Sequence, residues 1–413
     1  MKEVTYTKSS EWVSPAHPDR AADCIASEII NKIYSLDGKN AHAAIEVAIF
    51  DNKVIVGGEA KTTLDLSPEA LKPIVQHVLR EVGYNLALRE KFSKEDVYID
   101  SDYEVLSFVN KQSPDIAKGT TDLINGEPGF NDQGTYCGFA SNKTKNRLSY
   151  EHYLATSLGE FLYRKAKQTD FLGVDIKVLV QVKYSMDNDK FIGVQGITVA
   201  CPTVRYSDKC KEYWKSEKDF DDFCLATIRS YCADWFFMNF NYELDMDKLL
   251  INGTGVYHSH GPKADSALSG RKLVVNQCGN FAAGGSMIKP ILASDRLLNI
   301  YARHIAKVAV DAGLGNEVTV ELSASIGQTK IGSLRLIGIE KHYDIIYNYF
   351  MGKPFSPNYL NEKWRTLQRN NFNKVVFMNF FGSDRYDVEP WEDTEEDVKE
   401  LQRLIWDAEH NWK

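Results

Sequence analysis

The chain has 413 residues, 43% of them hydrophobic and 26% charged, with a formal net charge of −8 at pH 7. That length requires two or three domains, each with its own core. The acidic balance argues against a nucleic-acid surface as the protein's main business, while leaving room for a local cationic pocket that takes a small anion. No apolar run approaches a membrane span, and the opening "MKEVTYTKSSEW" lacks the apolar core of a signal peptide. Seven cysteines, an odd number without paired metal-ligand spacing, fit a reducing compartment. A cytoplasmic protein, bound to neither membrane nor nucleic acid, is expected.

Taken in chain order, the first helix opens on His17-Pro18-Asp19-Arg20. Pro18 suits a first helical position, and Asp19 favours the positive end of the helix dipole. Ile25, Ile29 and Ile33 then recur as one buried stripe, widened by Ala22 and Ile30. Residues 42–50 and 54–63 read as two strands joined by a turn at Asp51-Asn52-Lys53. A helix over 67–82 follows, with Leu71, Ile74, Val75, Val78 and Leu79 on one face. A further helix is predicted over 150–168. The hairpin returns as "IKVLVQVKYS", a turn at Asp187-Asn188-Asp189, and "FIGVQGITVA", with a helix near 220–238. After a long helix over 294–313 it returns again as "EVTVELSAS" and "SLRLIG", with a helix near 341–350. The tail 392–413 is acidic and then amphipathic, fit to pack on the surface.

Hairpin plus helix at regular spacing, three times, predicts an α+β protein of three similar intertwined two-layer α/β domains. Expected boundaries are 6–117, 127–250 and 251–395, with 396–413 as a C-terminal tail. No flexible linker separates the units, so segments should be exchanged between neighbours.

Several stretches are too specific for packing alone. "NDQGTYCGF" puts Asp132 and Gln133 before a glycine, and "VDIKV" places Asp175 and Lys177 two apart on one strand face. "GPKADSALSGRKLVV" offers Asp265, then Arg271 and Lys272 behind Gly270; as an isolated basic pair these two also read as a solvated strand start. "FAAGGSMIKP" is a small-residue loop ending in Lys289, and "SDRLLNIYARH" starts a helix with Asp295 in its first turn. No G-x-x-x-x-G-K-[ST] loop, G-x-G-x-x-G fingerprint, H-E-x-x-H pair or G-x-S-x-G elbow is present. His258 and His260 have the look of a metal pair, but two histidines without a third ligand point to packing.

These residues resemble the S-adenosylmethionine synthetases (methionine adenosyltransferases). "SEWVSPAHPDRAADCIASEI" is similar to that family's opening S-E-S-V-S-x-G-H-P-D-K-x-x-D. The likeness continues through "VIVGGEAKTT", "KQSPDIAKGT", "GFNDQGTYCGFASNKT", "LSGRKLVV", "ASDRLLNIYARHIAK" and "FFGSDRYDVEPWE". The resemblance implies attack of the methionine sulfur on C5′ of ATP, with loss of triphosphate that is then split to pyrophosphate and phosphate. It implies His17, Lys177, Arg271, Lys272 and Lys289 on the polyphosphate, with Asp19 and Asp295 each holding one of two Mg²⁺ ions. Glu46 matches the acid tied to a K⁺ site, and Glu59, Gln112 and Asp265 would surround methionine. Asp132 and Asp175 would reach the ribose or the amino acid, and Tyr257 would stack on adenine. A homodimer or dimer of dimers with a shared active site is implied as well. A thioether carries no proton, which agrees with the lack of any Ser/His or Cys/His arrangement.

The chain departs from the family pattern in places. Phe130 and Asn131 replace small residues, Ala293 stands where a second lysine is usual, and Val256 replaces an arginine beside Tyr257. For Ala293 and Val256, raised Michaelis constants for methionine and ATP are the expected result of the lost contacts. Two readings follow: a working methionine adenosyltransferase, or a weakly active or non-catalytic nucleotide-binding homologue serving as a regulatory or structural subunit. Loss of methionine binding alone would leave a third, a polyphosphate hydrolase.

Overall fold

A computed structural model describes residues 4–38, 41–111, 129–279, 284–290, 292–364, 380–382 and 389–410. The order begins with β1 Thr5–Val13, α1 Pro18–Asp37, β2 His42–Phe50, β3 Lys53–Lys61, α2 Pro68–Glu81, α3 Leu86–Lys91 and β4 Glu104–Lys111. Next come β5 Gly134–Ser141, α4 Tyr150–Gln168, β6 Lys177–Ser185, β7 Phe191–Ala200 and α5 Glu217–Phe240. Short elements follow: β8 Leu249–Ile251, β9 Ala267–Leu268 and α6 Leu273–Asn276. The last part holds α7 Ser294–Asp311, β10 Glu317–Ala324, β11 Ser333–Ile337, α8 Tyr343–Met351, α9 Pro357–Trp364 and α10 Glu395–His410.

The three predicted hairpins are β2–β3, β6–β7 and β10–β11, and each seeds one sheet. Their order is β4-β3-β2-β9, β1-β6-β7-β8 and β11-β10-β5. Asp51 and Asp189 turn the first two hairpins at φ 52° and 56°, a conformation that acidic and amide side chains tolerate better than most. Each hairpin takes a strand from elsewhere in the chain. β1 pairs antiparallel with β6 from Thr5↔Ser185 to Val13↔Lys177. β5 pairs with β10 from Glu317↔Ser141 to Ala324↔Gly134. β9 pairs with β2 at Ala48↔Leu268 and Ile49↔Ala267.

Helices cover one face of the sheets. The α1 stripe holds: Ala22, Ile25, Ile29, Ile30 and Ile33 are all buried. Two glycines set the closest approaches. A Cβ at Gly138 would fall 2.0 Å from the Ala302 backbone, so α7 rests directly on β5. At Gly159 it would fall 2.1 Å from the Trp12 ring, so α4 makes room for the fully buried Trp12 of β1.

Two local expectations change. Asp175 precedes β6 rather than lying in it, because the strand's pairing with β1 starts at Lys177. Arg271 and Lys272 lead into α6 and not into a strand, since Gly270, at φ +78°, turns the chain away from the β2 edge.

Candidate active site

Two acids on one face of α1 hold the loop 267–272 in place. Asp19 Oδ1 accepts from the Leu268 N–H at 2.9 Å, and Oδ2 accepts from Lys272 Nζ at 2.6 Å. The Arg271 guanidinium lies 3.6 Å from Oδ1. Burial alone would raise the Asp19 carboxyl, but Lys272 and the Leu268 amide outweigh it and hold it below the usual range. One turn later, Asp23 accepts from the Gly270 N–H at 2.8 Å and from Asn276 Nδ2 at 3.2 Å.

His17 caps α1, its Nδ1 accepting from the Asp19 N–H at 3.3 Å. That bond fixes the proton of the neutral ring on Nε2. Burial, reinforced by the charge of Lys272, pushes the imidazole down to about 3, so the ring is neutral at pH 7. His17 is thus a hydrogen-bond donor and not a cation.

Lys177 heads β6 and pairs with Glu11 of β1 at 3.0 Å, while its charge also acts on His17 and Asp175. Asp175 Oδ2 accepts from the Gly261 N–H at 3.0 Å. Burial pushes its carboxyl up to about 7, and the neighbouring charge of Asp265 adds to the rise. Asp265 itself is exposed, its N–H donating to the Gly261 carbonyl at 3.1 Å. Burial and the charge of Asp175 raise the phenol of Tyr257, whose carbonyl accepts from the Thr203 N–H at 3.0 Å.

A second group adjoins the first through Ser269. The Ser269 hydroxyl donates to Glu46 Oε2 at 2.6 Å, and Lys289 Nζ donates to Glu46 Oε1 at 2.5 Å. Asp295 stands in the first turn of α7, its carboxyl raised by burial and by Asp132, with Lys289 opposing the rise. A Cβ at position 285 would fall 2.0 Å from that carboxylate, so only glycine lets it lie against the backbone there. Asp132 is exposed ahead of β5, its Oδ1 accepting from the Gln133 N–H at 2.8 Å.

His17, Asp19, Lys177, Arg271 and Lys272 therefore form one group with Asp175, Tyr257 and Asp265, and Glu46, Lys289, Asp295 and Asp132 form its neighbour. Glu59 faces the same open side of its sheet as Glu46, because it pairs with Ala44 and Gly57 pairs with Glu46. Gln112 lies outside the described residues. His260 and His258 do packing work instead. The His260 ring meets Phe92 edge-on at 4.7 Å and its Nδ1–H donates to the His258 carbonyl at 2.8 Å. The His258 Nδ1–H donates to the Thr203 carbonyl at 2.8 Å.

Sequence reasoning missed Asp23, Ser269, Glu11 and Asn131. The i, i+4 spacing of Asp19 and Asp23 was the one local signal among them. What the arrangement offers is a set of cations and one neutral donor facing carboxylates, suited to a polyanion bound with a metal.

Three family models match the chain end to end in order: the S-adenosylmethionine synthetase N-terminal domain over residues 5–114, its central domain over 127–256 and its C-terminal domain over 259–393. The chain belongs to the S-adenosylmethionine synthetase family. It is 31% identical over 334 residues to an S-adenosylmethionine synthase of Cytophaga hutchinsonii, covering 79% of this chain and 76% of that protein. Against the S-adenosylmethionine synthase of Petrotoga mobilis it is 29% identical, covering 98% of this chain and all of the relative. An unusual S-adenosylmethionine synthetase from Campylobacter jejuni superposes with a TM-score of 0.82 at 29% identity, over 97% of this chain and 100% of that one. Membership makes the chain an enzyme of S-adenosylmethionine biosynthesis, a methionine adenosyltransferase. Among the described residues no helix is long and apolar enough to cross a membrane.

Proposed function

We propose that this chain joins ATP and L-methionine by attack of the methionine sulfur on C5′, expelling triphosphate and then hydrolysing it to pyrophosphate and phosphate. The observation that carries this reading is the run of contacts from His17 and Asp19 through Lys272, Ser269, Glu46 and Lys289, which gathers the charges that a polyphosphate and its metals require. In this reading Lys177, Arg271, Lys272 and Lys289 take the phosphate oxygens, and His17 donates Nε2–H to one of them. Asp175, Tyr257 and Asp132 face the nucleoside, while Glu59, Asp265 and Gln112 face methionine.

The residues fit the two Mg²⁺ ions of the family. Asp19 and Asp295 are the acids that would hold them, and the close backbone at Gly285 leaves Asp295 its place beside Asp132. Among the described residues no three His, Cys, Asp or Glu side chains converge as a complete metal cage. That suits magnesium, which keeps water and phosphate oxygens around one or two carboxylates. The ions would neutralise the charge that develops on the departing triphosphate. Glu46 would hold K⁺ once phosphate draws Lys289 away from it. The protein's own contribution is alignment of sulfur with C5′ and preorganised charge, with no general base.

The open face of β4-β3-β2-β9 supports a homodimer, or a dimer of dimers, with the site between chains. Phe50, Phe108 and Leu268 are 45%, 64% and 43% exposed there, on the side that carries Glu46 and Glu59. The protein is expected to work in the cytoplasm.

Asp19→Asn tests the assignment. The amide keeps an oxygen for the Leu268 N–H, so the fold should survive, while turnover falls by roughly a hundredfold or more. Turnover near wild type with ordinary magnesium dependence would remove Asp19 from the mechanism.

A further inference from the structure

We infer that Asn131 is a positioning residue for Asp295, a clamp that fixes where the first turn of α7 presents its carboxylate. The inference rests on the reading of Asp295 as a magnesium ligand. α7 begins after Ala293, whose methyl group offers no oxygen to the free N–H groups of the first turn. That acceptor comes instead from a distant segment: Asn131 Oδ1 accepts from the Ser294 N–H at 2.8 Å and from the Ser294 hydroxyl at 2.9 Å. Both bonds end on the residue next to Asp295, so they set the direction in which the Asp295 side chain leaves the helix.

A clamp must itself be held. The Phe130 N–H donates to the Gln328 carbonyl at 2.8 Å, and the Gly327 N–H donates to the Phe130 carbonyl at 2.8 Å. The Phe130 side chain is fully buried. A Cβ at Gly129 would fall 2.4 Å from the Gly327 backbone, so the segment is pressed against its neighbour. On its other side β5 begins at Gly134. Asn131 thus projects from a segment fixed at both ends.

The Asn131–Ser294 bonds also tie the segment that carries Asp132 to the helix that carries Asp295. A divalent cation would find the Asp295 carboxylate already oriented. Phe130 and Asn131 stand where the family pattern has small residues, which lack the amide that makes both bonds to Ser294.

The experiment compares the full-length wild type with Asn131→Ala, Asn131→Asp, Ser294→Ala and Asp295→Asn. Magnesium binding in the presence of tripolyphosphate is measured by calorimetry, and the Michaelis constant for methionine by kinetics. Asn131→Ala is expected to weaken magnesium by roughly tenfold, the scale for removing a residue that orients a ligand. The methionine constant should stay unchanged. Asn131→Asp retains an oxygen for both donors and should restore magnesium binding. Ser294→Ala, which removes one bond, should give a smaller loss and serves if Asn131→Ala does not fold. Wild-type magnesium affinity in Asn131→Ala or, failing that variant, in Ser294→Ala overturns the clamp, provided Asp295→Asn is impaired. Wild-type affinity in Asp295→Asn overturns instead the magnesium reading on which the clamp depends.

Discussion

Asp175 is the residue whose charge is most in balance at neutral pH. Burial pushes its carboxyl up to about 7 from an ordinary 3.8, although the Gly261 N–H favours the charged form. The folded chain therefore holds this proton at pH values where the unfolded chain has lost it. The stability it contributes is fully present below the unfolded value and is lost as pH rises through the folded one. Asp175→Asn keeps an acceptor for Gly261 and cannot ionise. Its melting temperature should gain on wild type as pH rises from about 4 to about 7 and hold that gain above. Parallel melting curves across that range would show that Asp175 is not buried as described. The start of α1 was legible in the sequence because its constraints are local, a proline and a first-turn acid, whereas the roles of His17 and Asp19 came from the resemblance. Asp23 was not legible, because the amide it holds lies 247 residues away. Asn131 was missed for the same reason, since its two bonds join positions 163 apart.

At the scale of elements, β-branched and apolar runs on either side of an Asp/Asn turn made β2, β3, β6 and β7 readable, and helical stripes did the same for α1, α2 and α7. β8 and β9, three and two residues long, carry no periodicity to read. β1 mixes polar and apolar side chains along its length and reveals itself as a strand only beside β6. The tail was expected to pack on the surface, and α10 does so through a buried acid. Asp397 accepts from Lys353 Nζ at 2.6 Å, Lys363 Nζ at 2.7 Å and the Tyr349 hydroxyl at 2.6 Å, and it pairs with His304 Nε2 at 2.8 Å. Burial would raise this carboxyl, but His304 and the two lysines hold it far below the usual range. Its contribution is therefore present at neutral pH and lost as the solution is acidified through the carboxylate range. Asp397→Asn should cost about 3–5 kcal/mol in urea unfolding at neutral pH, because it strands the cations it neutralised. An unchanged unfolding midpoint would mean that α10 is a passive appendage.

For the whole molecule, the absence of linkers pointed to exchanged segments, but only the pairing shows which strands move: β1 to the second hairpin, β5 to the third and β9 to the first. No sequence period marks such an exchange, because each visiting strand meets its partner through backbone bonds that any residue supplies. The exposed Phe50, Phe108 and Leu268 predict self-association through that sheet. Sedimentation at micromolar concentration should give a dimer or tetramer, and Phe108→Glu should shift it toward monomer and lower activity with it. A fully active monomer would place the site within one chain.

This divergent chain is expected to perform the complete adenosyl transfer. The direct measurement is to incubate the purified full-length protein with ATP, methionine, Mg²⁺ and K⁺, and to follow the products by mass spectrometry. S-adenosylmethionine, pyrophosphate and phosphate should appear in equal amounts, all dependent on methionine and absent with Asp295→Asn. Release of phosphate from ATP or tripolyphosphate without S-adenosylmethionine, or no product at all from a folded oligomer, would contradict that expectation.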